Sequence, residues 1–165
     1  MKNFDAIYEK VISGANSETK FVVKGKQVFP KGVVLLTTRN MPDNPYIKIA
    51  FDDGSFLLLM INDKEIYYAD CLVGHIQSIQ DEEIGNSRTL EYEGKTYELG
   101  NKDDYQYVIQ RFLGGPKDIE GEARFSDYFP VAGPNEFLSL GWLSETGERA
   151  DIHCKLIDPK EINIL

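Results

Sequence analysis

Short apolar and β-branched runs, each stopped within a few residues by Gly, Pro or Asp, crowd most of this chain and leave little room for helices. The clearest pair, Tyr46 to Phe51 and Phe56 to Ile61, is joined by Asp52-Asp53-Gly54-Ser55 and reads as a hairpin. In its first arm Ile47, Ile49 and Phe51 share one face while Lys48 points the other way. The second arm is apolar on both faces, so it reads as an interior strand covered on both sides.

The same texture predicts strands at Phe21-Val22-Val23 and Val33 to Leu36, with Pro30-Lys31-Gly32 as the turn between them, and at Glu65 to Tyr68 and Leu72 to Ile79. Met41 to Pro45 is a loop, because two prolines so close together do not fit a central strand. Leu90-Glu91-Tyr92 and Thr96 to Leu99 flank Glu93-Gly94-Lys95 as a second hairpin. Tyr105 to Leu113 fits either a strand or a helix, and Gly114-Gly115-Pro116 stops it. A strand at Gly121 to Phe125, a loop from Pro130 to Pro134 and a third hairpin turning at Glu145 to Glu148 follow. In the last arm Ala150, Ile152, Cys154 and Leu156 share one face and Asp151, His153 and Lys155 the other, which predicts a buried Cys154 and an exposed His153. Asp158-Pro159 ends that arm, and Ile162 to Leu165 adds a final edge.

One helix is expected near the start, where Phe4, Ile7, Tyr8, Val11 and Ile12 fall on a single stripe between a capping Asn3 and a terminating Gly14. The mixed charges of Lys2, Asp5, Glu9 and Lys10 favour packing on the sheet over anchoring in a membrane. The elements together predict a mainly β fold: an antiparallel two-sheet sandwich or a partly closed barrel with a short N-terminal helix, in one domain over 1–165. The helix occupies 1–14 and the strands 20–165. Gly25-Lys26 and Gly94-Lys95 each precede a strand, so the pattern allows two similar halves, 20–80 and 88–165, with an imprecise period.

Hydrophobic residues at 42% and charged residues at 27% exclude disorder as the default state. The formal charge of −9 repels phosphate backbones and argues against nucleic-acid binding; the densest basic group, Lys20, Lys24, Lys26 and Lys31, reads as a solvated strand face. The opening residues Met1 to Asp5 lack a signal-peptide core, and the longest apolar run, Phe56 to Ile61, is too short to cross a bilayer. With Cys71 and Cys154 as two lone thiols, a reduced, cytoplasmic setting is the simplest expectation.

Candidate chemistry is sparse. His75 and His153 lack the spacing of a metal motif, although Asp151 shares a strand face with His153. No nucleophile elbow surrounds Ser126, Ser139 or Ser144, and Asp70 beside Cys71 disfavours a thiolate. Asp52-Asp53-Gly54 is turn chemistry and not a calcium loop, and Trp142 shares a face with Leu138 and Leu140 as core. The best acidic cluster is Glu120, Glu122 and Asp127 with Tyr128 alongside, where Glu120 and Glu122 share a face that is either a site or a wet surface. These four residues are the candidate binding set; no catalytic residue, metal ligand or cofactor is expected.

From Tyr97 onward, Tyr97-Glu98-Leu99, Glu120-Gly121-Glu122-Ala123, Asp127-Tyr128 and Leu138-Ser139-Leu140 follow an order that resembles the uncharacterised bacterial family domain of unknown function 4178, with family 2491 as second choice. That resemblance implies a β-rich domain without established catalysis and an adaptor role in envelope stress. The expected function is a non-catalytic module that binds another protein through a sheet edge or an acidic, Tyr-rich face. Two alternatives stand beside it: an acidic inhibitor or immunity protein for a basic partner, and a carboxylate-dependent enzyme or binder acting on a small molecule or sugar.

Overall fold

Asn3 accepts a hydrogen bond from the Ala6 backbone N–H at 3.0 Å and so starts helix α1, Phe4–Ile12, a cap worth about 1 kcal/mol. Its Phe4, Ile7 and Val11 are buried, but Ile12, predicted on the same stripe, is 46% exposed. The computed structural model describes residues 3–37, 42–70, 74–112, 118–133, 135–143 and 147–165, with backbone alone for 101–112, 118–123 and 143. Within these the protein is mainly β, with twelve strands in two antiparallel sheets and one short α-helix.

Strands β1, Phe21–Val23, and β2, Lys26–Val28, form a hairpin whose turn residues Lys24 and Gly25 both have positive φ, 53° and 80°. Two such residues match the twist of the flanking strands, so the reversal lies here and not at Pro30-Lys31-Gly32. Pro30 instead opens β3, Pro30–Leu36, at a strand start that tolerates the missing N–H, and a register shift between Pro30 and Gly32 absorbs the extra residue. The expected central hairpin is present as β4, Tyr46–Phe51, and β5, Phe56–Met60, followed by β6, Glu65–Ala69. From Gly74 to Gln80 the chain is a loop touching the sheet by one bridge, Gly74 to Asp151, where a strand was expected; Ile76 and Ile79 cover the sheet instead of extending it.

Next come β7, Thr89–Tyr92, and β8, Lys95–Phe112, joined by Glu93 and Gly94 with φ of 48° and 74°. The ambiguous Tyr105 segment is thus strand, continuous with the stretch that begins at Lys95. Then follow β9, Asp118–Pro130, β10, Glu136–Leu143, β11, Ile152–Leu156, and β12, Ile162–Ile164. Strand β12 pairs with β1, giving a small sheet in the order β12-β1-β2.

The large sheet runs β3-β4-β5-β6-β11-β10-β9-β8-β7. It curls until β3 meets the far end of β8 over two residue pairs, Val34 with Phe112 and Leu35 with Arg111, without closing into a barrel. Phe125 of β9 accordingly packs against Leu36 of β3.

Curling gives the large sheet an inner and an outer face. On the outer side of β3 to β6, Ile47, Ile49, Leu57 and Leu59 pack against α1 and the small sheet in the main core. Outside β8 to β10, Tyr97, Tyr128, Leu138 and Leu140 pack under Ile76, Ile79 and Ile84 of the 74–88 segment. Each such buried side chain contributes about 1.5–3 kcal/mol against leaving it in water. The inner face carries Phe56, Leu58, Ala69, Phe137 and Cys154.

Candidate functional site

Three polar centres stand out against this apolar frame. The first is Glu136, at the start of β10, whose side chain is 0% exposed. The Glu93-Gly94 turn delivers Lys95 and Tyr97 of β8 to it, and β11 brings His153. The Tyr97 hydroxyl donates to Glu136 Oε1, Lys95 Nζ donates to Oε2 at 3.2 Å, and His153 Nε2 lies 3.2 Å from Oε1. Burial resists ionisation of Glu136, but the bonds from Tyr97, His153 and Lys95 outweigh it and hold the carboxyl below its ordinary value. Burial, and then the Glu136 carboxylate, keep the Tyr97 phenol protonated far above its usual range. His153, expected exposed, has a side chain only 14% exposed, with its ring edge-on to Tyr92 and Tyr97. Glu136 draws it inward, a reason that strand alternation does not supply.

The second centre is Asp151, fully buried beside β11. It accepts Arg149 Nε at 3.1 Å and Nη2 at 2.6 Å, the Ile76 N–H at 2.9 Å and the Gly141 N–H at 3.3 Å. Arg149 continues to Asp81 at 2.8 Å and to the Ile79 carbonyl at 3.2 Å, tying the 74–88 segment onto the sheet. Trp142 lies between the guanidinium groups of Arg149 and Arg124, 5.9 and 5.6 Å from its ring centroid. Gly141 is needed because β9 crosses so closely that a Cβ there would sit 1.8 Å from the Arg124 carbonyl oxygen.

The third centre is Lys48 on the inner face. Its register partners are Val34 on one side and Leu58 on the other, and its Nζ lies 4.6 Å from the centroid of the Phe56 ring. Burial lowers its pKa from the usual lysine value, with a small opposing effect of Cys154. Cys154 is buried as expected, and burial pushes its thiol up to about 12, so it is inert as a nucleophile at neutral pH.

The sequence-derived binding set is dispersed. Asp127 and Tyr128 are adjacent on β9 and therefore face opposite sides. Asp127 is half-buried on the inner face, opposite Ser139. Tyr128 is fully buried on the outer side, where its hydroxyl accepts the Gly85 N–H at 3.0 Å and donates to the Ser87 carbonyl at 2.8 Å, clasping the 74–88 segment. Glu120 and Glu122 pair through their backbones with Ile109 and Tyr107 of β8, and their side chains lie outside the described residues, as do Cys71, Ser144 and Gly114 to Pro116.

Sequence reasoning missed Glu136 and Lys48 as centres, although each is a lone charge in an otherwise apolar strand, Glu-Phe-Leu-Ser-Leu and Tyr-Ile-Lys-Ile-Ala-Phe. Among the described residues no group of three or more His, Cys, Asp or Glu could hold a metal ion, and no helix is long and apolar enough to cross a membrane. No protein-family model, curated protein or solved structure matches the chain.

Proposed function

We propose that the protein is a binding module whose receptor surface is the inner face of the curled sheet. The observation that carries this reading is that the face keeps partial contact with solvent although it is largely apolar: Val34, Tyr46, Tyr67, Phe125 and Ile152 are only half-buried, and Phe129 and Leu156 at its rim are 39% and 38% exposed. Apolar surface left accessible inside a concavity is the usual form of a ligand site. A binding role in place of a catalytic one is supported by the outer-face carboxylates, since Glu136 and Asp151 have their acceptor positions taken up by protein donors. Of the strands that end the two sheets, β2, β12 and β7 are three, three and four residues long and so poor templates for a partner strand, while β3 is seven residues long and is paired to β8 at Val34 and Leu35.

A neutral apolar dye such as Nile red tests this. Its fluorescence should rise on the native protein and fall in Leu156→Glu, while Ile12→Ser, which alters an exposed apolar residue on the helix, leaves it unchanged. Dye binding lost in Ile12→Ser and retained in Leu156→Glu would sink the proposal.

A further inference from the structure

Resting on the inner face as the receptor surface, we infer that its rim docks a short basic segment of a partner protein, held by apolar anchors on Phe129, Val131 and Leu156. Three of the five exposed large apolar side chains among the described residues stand here: Phe129, Val131 and Leu156 are 39%, 61% and 38% exposed. The Val131 N–H donates to the Thr96 carbonyl at 3.0 Å and so continues the β8–β9 ladder, which puts Val131 on the same face as Phe129, two residues before it. The Phe129 ring packs on Phe137 at 6.1 Å between centroids, Phe137 packs on Tyr67 at 4.9 Å, and Tyr67 lies opposite Leu156. The patch is therefore continuous from β9 to β6. Three inter-strand steps span about 15 Å, the length of four to five extended residues or about three helical turns. One anchor has a reserved place: a Cβ at Gly100 would lie 2.4 Å from the Phe129 ring, so the bare backbone there makes room for it.

The occupant follows from the form and charge of this rim. The anchors are half open to solvent, and an exposed apolar patch edged by polar groups is the form of a macromolecular interface. Carboxylates edge it on both sides. Glu98 lies opposite Phe129 with its side chain 53% exposed, and Glu65 accepts the Tyr67 hydroxyl at 3.0 Å. Burial, and then Glu65 and Asp63, push the Tyr67 phenol up to about 12, so a second carboxylate acts on that side. The cations beside these acids are Arg88, 4.0 Å from Glu98 and 89% exposed, and Lys64, which pairs with Asp5 of α1. A basic segment thus meets complementary charge at both ends of the patch, on a chain of net charge −9. The same charge argues against two other occupants. A second copy docked rim to rim would bring Glu65 and Glu98 against like charges, and an anionic bilayer surface would be repelled.

Selection of random displayed peptides of about twelve residues on the full chain tests the assignment, the enriched peptides then being synthesised and titrated. They should combine several Leu, Ile, Phe or Trp residues with Lys or Arg, and exchanging those cations for Glu should weaken binding about tenfold. Val131→Asp, at a position open enough to leave the fold intact, should also cost about tenfold, while Leu165→Asp, at an exposed apolar residue after β12, changes nothing. Glu98→Lys should weaken the basic peptides and flatten their salt dependence. Enriched peptides without cations, or affinities insensitive to both salt and Glu98→Lys, overturn the basic segment, though the rim survives if Val131→Asp still weakens them. Peptides whose binding Val131→Asp leaves unchanged overturn the rim; the receptor face falls with it only if Nile red is also insensitive to Leu156→Glu. Failure to enrich any peptide overturns the proposal too: a dimer in sedimentation that Val131→Asp dissociates assigns the rim to a second copy, and binding to anionic phospholipid vesicles assigns it to a membrane.

Discussion

On the outer face of the large sheet, Glu136 and Asp151 are each ringed by donors from three or more residues, whereas on the inner face Lys48 has an aromatic ring and apolar neighbours. Both kinds of charge are withdrawn from water, so both carry a desolvation cost. On the outer face that cost is offset within the protein, and the charges act as fasteners: Glu136 ties β8, β10 and β11 together, and Asp151 holds the 74–88 segment down. Among the described residues Lys48 forms no ion pair and joins no strands by its side chain.

The comparison makes removal of Asp151 the most damaging change. Asp151→Ala leaves the Arg149 guanidinium, 5% exposed, without its bidentate partner and strips the Ile76 and Gly141 N–H groups of their acceptor. A loss of about 3–5 kcal/mol in chemical denaturation is expected. A loss below 1 kcal/mol would mean that the 74–88 segment is held by its isoleucines alone.

Glu136→Gln should cost less, about 1–3 kcal/mol, because the amide retains one acceptor and much of the shape. Its pH signature is more telling. The folded-state pKa of Glu136 lies below its unfolded value, so its contribution is present above the ordinary carboxylate range and is lost as pH falls through the folded value. The variant should therefore show a flatter acid limb when stability is followed from neutral pH downward; an unchanged limb would place the acid sensitivity elsewhere.

Lys48→Met is the smallest effect and has the opposite sign, a gain of about 1 kcal/mol at neutral pH on removing a half-buried ammonium that pairs with no carboxylate among the described residues. Burial lowers the folded-state pKa of Lys48, so the unfolded chain binds its proton more tightly and the penalty fades as pH rises toward the ordinary lysine range. The gap between variant and parent should narrow over that range in thermal melts. Destabilisation by Lys48→Met would turn Lys48 into another fastener and erase the contrast between the faces.

Much of the architecture is legible locally. The Ile47-Ile49-Phe51 alternation, the Asp53-Gly54 turn and the doubly apolar Phe56 to Met60 strand each depend on residues within a few positions of one another. Pro30 misleads because the same residue that marks turns also fits a strand start, and the described part of the expected Leu72 to Ile79 strand, Gly74 to Ile79, misleads because apolar residues can cover a sheet as well as enter it. The polar centres are hidden for a different reason. Tyr97 and Glu136 are 39 positions apart, and His153 and Glu136 are 17, so no spacing rule joins them.

By itself the sequence determined the period of the strands, the positions of the Gly-containing reversals, the capped helix and the acidic balance, because backbone preference and side-chain alternation act over two to four residues. Only the tertiary structure decided that the large sheet curls, that Glu136 and Asp151 are answered by donors from distant strands, and that Lys48 sits half-buried against the Phe56 ring. Burial and charge pairing are properties of the space between strands, and that space is set by the order in which distant segments pair.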